Sequence, residues 1–289
     1  MIDSETKVVG IIGNPVRHSL SPIMHNRALS HLGLNWVYLS FEVEPARARS
    51  AIEGARDLGM VGLNVTMPFK MEAVEWVDIK DGSVILTGSL NTLLFKDSKI
   101  MGFNTDGIGF LNSLREKSIS LQGRKVLLIG AGGAARAVAF VVAQQEVARL
   151  TVLNRTPQKA HRLAQELSSF KPETEINTAS YDLGLALVIS DSDLIINATS
   201  VGMKDHPGIP IPTDDIDQRH IVYDLAYWPL RTELLRDSEE RGARVVSGLE
   251  MLIHQGAESF RIWTGKEFPL PIVREELTEY LKSIEDRSR

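Results

Sequence analysis

Residues 125–136 read Lys-Val-Leu-Leu-Ile-Gly-Ala-Gly-Gly-Ala-Ala-Arg, an apolar run that breaks into glycines and resumes with small residues. Lys125 to Ile129 has the length and composition of a buried strand. Gly130-x-Gly132-x-x-Ala135 follows directly, and a helical pattern covers Ala134 to Ala143. Strand, glycine turn and helix in that order are the context in which this fingerprint binds a dinucleotide. Gly130 permits the tight turn, Gly132 lets the backbone approach a pyrophosphate, Gly133 adds slack, and Ala135 lets the helix pack close to the sheet. The helix start offers N–H groups and a positive dipole end to phosphates, with Ala131 and Ala134 on the same turn. An ordinary strand–turn–helix joint is the plainer reading of the glycines alone; the two correct flanks favour the cofactor.

Moving outward, the next strand, Leu150 to Leu153, ends at Asn154-Arg155-Thr156. An NAD-binding chain usually has Asp or Glu there for the ribose hydroxyls. A carboxylate repels a 2′-phosphate, whereas a guanidinium binds it through charge-assisted bonds. Arg155, with Lys159 one turn into the following helix, therefore points to NADP(H) rather than NAD; a solvated loop arginine is the alternative. Asn197 to Met203 follows another strand, Asp193 to Asn197. Thr199 and Ser200 are thus placed at a strand's carboxyl end, where ligands of open α/β sheets sit, or in an ordinary loop.

Further out, strand and helix patterns alternate over the whole chain. Strands are predicted at 7–13, 36–42, 61–65 and 221–225, and helices at 22–32, 45–58, 108–117, 157–168, 248–263 and 271–284. A helix opening at Pro68 and a hairpin of 92–95 with 100–103, turning at 96–99, complete the first half. Residues 169–192 stay unassigned. Strands separated by helices predict parallel sheets covered on both faces. The pattern gives two α/β units, the second beginning near Asp106 and looking like a dinucleotide-binding unit.

Composition narrows the function. The chain has 289 residues, 43% hydrophobic and 24% charged, ordinary for a globular protein. A net charge of -5, with no block of Lys and Arg, gives no sign of nucleic acid or an anionic membrane as partner. There is no cysteine, which excludes disulfides, zinc–thiolate sites and a Cys nucleophile, and no metal is expected. No apolar run approaches the roughly 20 residues that span a bilayer, and the polar opening has no signal-like pattern. A cytoplasmic protein, monomer or homodimer, acting on a small molecule is the expectation.

The polar residues of the first half concentrate in a few motifs. In residues 13–26, Pro22 suits the first helical position and Ser21 the N-cap. Ser19 and Ser21 either hold an anion at that helix start or, for Ser21, simply cap it; His18 and His25 read as structural. In residues 62–70, Asn64 and Thr66 share a strand face. Lys70 falls at about the third helical position after Pro68, where the dipole disfavours a cation and would lower its pKa. It is either a proton-exchanging group or a surface lysine. Asp106 precedes a helix, as a cap or as a partner for Lys70.

Together these motifs resemble the shikimate dehydrogenase family along nearly the whole chain. In order they are GNPVRHSLSP (13–22), GLNVTMPFK (62–70), GSLNT (88–92), GFNTDGIG (102–109), GAGGAARA (130–137), NRT (154–156), NATSVGM (197–203), DLAYWP (224–229) and GLEMLIHQG (248–256). The resemblance implies a two-domain α/β chain, with a mainly parallel substrate domain over 1–106, a Rossmann-type NADP domain over 107–247 and helices in 248–289 that complete the first domain. It also implies NADPH-dependent reduction of the 3-keto group of 3-dehydroshikimate, in aromatic amino acid biosynthesis. It implies Lys70 and Asp106 as the catalytic pair and Ser19 and Ser21 as carboxylate binders. It further implies Asn64, Thr66, Asn91, Tyr227 and Gln255 as ring contacts. Gly130 to Ala134 and Asn154 to Lys159 are implied as cofactor contacts, with Leu225, Gly248 and Met251 at the nicotinamide end. GSLNT stands where the family commonly has GAVNT, and DLAYWP also varies, but Asn91, Tyr227 and Pro229 are kept. In the last motif Gly248, Met251, Leu252 and Gln255 fall on one helix face. The rivals are a quinate/shikimate dehydrogenase with relaxed or NAD cofactor use, against which Arg155 speaks, and a non-catalytic NADP-binding regulator, which predicts loss of Lys70 or Asp106.

Overall fold

The computed structural model describes residues 2–182 and 184–286. The chain divides into two compact units, Met1–Gly109 with Ile253–Tyr280, and Phe110–Leu252 with Leu281–Arg289. Three helices pass from one unit into the other: α4 (Asp106–Glu116), α9 (Gly248–Thr264) and α10 (Leu270–Asp286). No described helix is long and apolar enough to cross a membrane.

The first unit is built on β1 (Lys7–Gly13), β2 (Trp36–Glu42), β3 (Gly62–Val65), β4 (Ile79–Lys80), β5 (Thr92–Lys96) and β6 (Lys99–Phe103), in the order β2-β1-β3-β5-β6-β4. β1 runs parallel to β2 and β3, while β5 is antiparallel to both β3 and β6. The antiparallel step follows from the predicted hairpin. Asp97 and Ser98 both have positive φ, 52° and 58°, the mirror-image turn that matches strand twist. Helices α1 (Ser21–His31), α2 (Ala48–Asp57) and α3 (Gly82–Thr87) accompany this sheet. Ile12, Ile52, Leu63, Val65, Phe69, Leu90 and Leu93 form its core. Each such fully buried side chain contributes roughly 1.5–3 kcal/mol.

The second sheet is wholly parallel. Its strands are β7 (Lys125–Ile129), β8 (Arg149–Leu153), β9 (Glu175–Ala179), β10 (Leu194–Asn197), β11 (Ile221–Asp224) and β12 (Arg244–Ser247), ordered β12-β11-β10-β7-β8-β9. From β7 the chain winds first one way and then the other, so the switch point lies between β7 and β10. Helix α5 (Gly133–Ala143) follows β7, and α6 (Pro157–Phe170) follows β8; α7 (Leu185–Ser190) and α8 (Glu233–Glu240) complete the unit. β7 is buried from Val126 onward, and α5 buries Ala135 and Ala137 to Ala139, as the small residues anticipate. The stretch left unassigned by pattern holds β9 and α7; its Leu183 lies outside the described residues, as do the last three residues of the expected C-terminal segment.

Three expectations need correction. No α-helix opens at Pro68: residues 67–71 form turns, and Glu72–Trp76 is a short 3-10 helix. Burial of Phe69, Ala73 and Val74 in the first core overrides the Pro-first helix signal. The dipole argument for Lys70 falls with it. Ser21 is not the N-cap of α1: the helix starts at Ser21, the cap position is Leu20, and no side chain caps it. The 45–58 helix is split, with a 3-10 turn at Pro45–Arg47 before α2.

His25 on α1 is fully buried, and neither ring nitrogen has a hydrogen-bond partner among the described residues. It stacks on Tyr38 at 4.4 Å and 9°, with Trp263 and Phe268 around it. Burial pushes its pKa down to about 3. Because the unfolded chain binds the proton more readily, His25 favours folding above pH about 6.5, and that contribution is lost as pH falls from there toward 3. Between pH 7.5 and 5 the loss is about 2 kcal/mol. Urea unfolding of His25→Phe against the unaltered chain at both pH values is expected to show this much less acid sensitivity in the variant; equal slopes would contradict it.

Candidate active site

Three segments of the first unit converge on one polar cluster. The turn after β3 carries Lys70, whose carbonyl is fixed by the Leu90 N–H at 2.8 Å. The loop into β5 carries Asn91, and the loop after β6 carries Thr105 and Asp106. Lys70 Nζ lies 2.5 Å from Asp106 Oδ2, with Asp106 side chain only 5% exposed and Lys70 20%. Asp106 Oδ1 accepts from the Asn91 amide at 2.8 Å. That amide also lies 2.9 Å from Thr105 Oγ1 and 3.1 Å from Gln255 Oε1 on α9.

Asp106 is the first residue of α4, and its N–H donates to Asn104 Oδ1 at 3.0 Å. Asn104 therefore does the capping, which leaves both Asp106 oxygens for Lys70 and Asn91. Gln255 is held against α4 because position 109 is glycine. A Cβ there would lie 2.6 Å from the Gln255 backbone nitrogen.

A second cluster adjoins the first. Tyr38 donates to Asn64 Oδ1 at 2.7 Å, and the Ser21 side chain lies beside the Tyr38 phenol. Burial pushes that phenol well above its ordinary range. Asn64 donates in turn to the Asn91 carbonyl, Thr92 Oγ1 and Ser259 Oγ within 3.0 to 3.1 Å. Ser259 also bonds Thr92 and Thr105. Ser19 Oγ accepts from the Ser21 N–H at 3.2 Å. Thr66 sits against Gly13, where a Cβ would meet its methyl at 2.4 Å.

Lys70, Asp106, Asn91 and Gln255 are thus brought together, and Ser21, Asn64 and Ser19 stand beside them in the first unit; Tyr227 belongs to the second. Tyr38, Thr105 and Ser259 were missed by pattern. Ser259 had a signal, one turn beyond Gln255 on the same helix face. Tyr38 had none beyond the rule that a buried phenol needs a partner.

The second unit carries the cofactor-binding candidates of the sequence, near the carboxyl ends of its strands. Gly130 has φ 119°, and a Cβ there would lie 2.9 Å from the Ala198 carbonyl, so glycine is required. Gly132 is the N-cap of α5, with no side-chain cap, and a Cβ there would meet nothing within 4 Å. Ala131, Gly133 and Ala134 complete that turn. After β8, Asn154 donates to the Thr156 carbonyl. Arg155 and Lys159 are exposed, and no ion pair engages either among the described residues. Thr199 bonds Asn197 Oδ1 through its N–H and hydroxyl, and Ser200 follows it. Leu225 and Tyr227 are half-buried after β11. Gly248 opens α9 in contact with the Leu225 carbonyl, and Met251 is buried one turn on.

The donor set suits an NADP-type group. It joins an uncapped helix start beside open space, two unpaired cations and a neutral residue where a carboxylate would repel the 2′-phosphate.

Comparison with known proteins places the chain in a family. Residues 11–93 match the shikimate dehydrogenase substrate binding domain. Residues 113–204 match shikimate/quinate 5-dehydrogenase, and residues 248–278 the shikimate 5'-dehydrogenase C-terminal domain. The shikimate dehydrogenase (NADP(+)) of Methanopyrus kandleri is 46% identical over 288 residues, covering 97% of this chain and 98% of that protein. A crystal structure of a shikimate dehydrogenase in complex with NADP+ superposes with a TM-score of 0.92 at 39% identity, over 97% of this chain and 98% of that one. The Thermus thermophilus shikimate 5-dehydrogenase, in complex with NADP(H) and shikimate, gives 0.85 at 34% identity, over 94% and 99%.

Proposed function

We propose that this chain, which belongs to the shikimate dehydrogenase family, catalyses the reversible NADPH-dependent reduction of 3-dehydroshikimate to shikimate, a step of aromatic amino acid biosynthesis. The observation that carries the reading is the Lys70–Asp106 contact of 2.5 Å inside a buried polar cluster. When bound, NADPH supplies the hydride. Lys70 stabilises the charge that grows on the carbonyl oxygen and gives it a proton from Nζ. Asp106 holds the ammonium in place and, once that oxygen has become a hydroxyl, accepts a hydrogen bond from it. Asn91 and Gln255 fix Asp106 and the ring, while Ser19, Ser21, Asn64 and Thr66 hold the substrate carboxylate and hydroxyls. Tyr227, kept in the DLAYWP motif, is a further substrate contact. Gly130 to Ala134 hold the pyrophosphate, and Asn154 to Lys159 the adenosine phosphate. Thr199, Ser200, Leu225, Gly248 and Met251 border the nicotinamide.

The test is growth of the reduced-nicotinamide absorbance band with shikimate plus NADP+. Parallel assays use NAD+ and use quinate in place of shikimate. The expected result is turnover fastest with shikimate and NADP+. Faster rates with NAD+ or quinate would transfer the chain to the quinate/shikimate branch, and binding without turnover would leave a regulator.

A further inference from the structure

We propose that Asp224 is a positioning residue, whose buried carboxylate locks the loops after β10 and β11 into one arrangement and so sets where Leu225, Tyr227 and Gly248 stand. The inference rests on the function proposed above.

Asp224 ends β11 and is fully buried. Its Oδ1 accepts from the Asn197 amide at 2.8 Å and from the Ala226 N–H at 3.0 Å; its Oδ2 accepts from the Thr232 hydroxyl at 2.6 Å. Each donor belongs to a different feature. Asn197 ends β10 and shapes the loop beyond it, since its amide also donates to the Val201 carbonyl and its oxygen accepts from Thr199. Ala226 lies in the loop after β11, and Thr232 caps α8 at that loop's far end. One carboxylate therefore fixes both ends of residues 225–232 and the start of 198–203.

Those loops border the switch point. The Ala198 carbonyl faces Gly130 across the β7–β10 crevice, and the Leu225 and Ala226 carbonyls press on Gly248, where a Cβ would lie 2.2 and 2.7 Å away. A shift of Ala226 consequently moves the start of α9.

Stability alone does not favour this arrangement. All three donors are neutral, and an uncompensated buried carboxylate is costly. Burial pushes its pKa up to about 6. A buried carboxylate with no cation beside it among the described residues, where loops meet, fits a role in specifying geometry.

Asp224→Asn tests it. The variant keeps the volume and one acceptor oxygen, but turns an NH2 toward the Thr232 hydroxyl, which already accepts from the Leu235 N–H. Expected is a fall in kcat for shikimate oxidation of about 10²-fold. NADP+ affinity by calorimetry is expected to fall far less, by under about tenfold, because only its nicotinamide-end contacts lie on these loops, while the glycine turn and Arg155 follow β7 and β8. A kcat within about twofold of normal, or a loss confined to NADP+ affinity, would overturn the proposal. Should that variant not fold, Thr232→Val removes only the Oδ2 donor and is expected to lower kcat about tenfold, with the same two overturning outcomes. Failure of the unaltered chain to oxidise shikimate would strike the proposed function instead.

Discussion

Lys70→Ala is expected to lower kcat for shikimate oxidation by about 10²–10⁴-fold while KM for shikimate moves less than about fivefold. The split follows from when residue 70 acts: in oxidation its amine takes the hydroxyl proton that its ammonium gives in reduction. In the ground state the substrate hydroxyl is neutral, and Asn91, Gln255 and the serines hold the ring without Lys70. Charge on the reacting oxygen grows only toward the transition state, so an interaction that grows with it appears in kcat. The truncation also leaves Asp106 facing the Asn91 amide alone, and an orphaned buried carboxylate costs about 3 kcal/mol. Rates are therefore to be taken below the variant's Tm, with NADP+ binding as a check that the second unit is intact. A near-normal kcat would remove Lys70 from the chemistry.

Arg155→Ala is expected to raise KM for NADP+ about 10- to 100-fold and to change KM for NAD+ less than about threefold. Arg155 is exposed and engaged by no carboxylate among the described residues, so its loss leaves no buried group unpaired and little effect on folding. What it loses is a planar, always-charged partner for a 2′-phosphate that NAD lacks. Lys159, on the first turn of α6, retains part of the attraction, which bounds the effect. Equal losses with both cofactors would assign Arg155 to the common part of the dinucleotide.

Most of the fold was legible because most of its elements are long or apolar. β2 and β7 fall on their predicted residues, and the glycine turn after β7 stands where the fingerprint put it. The elements that escaped are short or polar. α8 buries only Leu234, Leu235 and Ser238 in eight residues, and β12 is four residues long, so neither shows a period. The Pro68 segment looked like a helix start, and packing of Phe69 decided otherwise.

The site divides differently. The proposed cofactor side is local in sequence, one glycine turn and one strand end, so its candidates follow from spacing alone. Lys70 and Asp106 are 36 residues apart, and Asn91 and Gln255 are 164 apart. No periodicity couples such positions; the family motifs did. Tyr38 and Ser259 lie outside those motifs, and only the hydrogen bonds of the folded chain bring them in.

The most direct measurement is a crystal structure with shikimate and NADP+ bound. The reacting ring oxygen is expected within about 3.2 Å of both Lys70 Nζ and an Asp106 oxygen. A ring bound elsewhere, or an oxygen more than about 5 Å from Lys70, would contradict the catalytic pair.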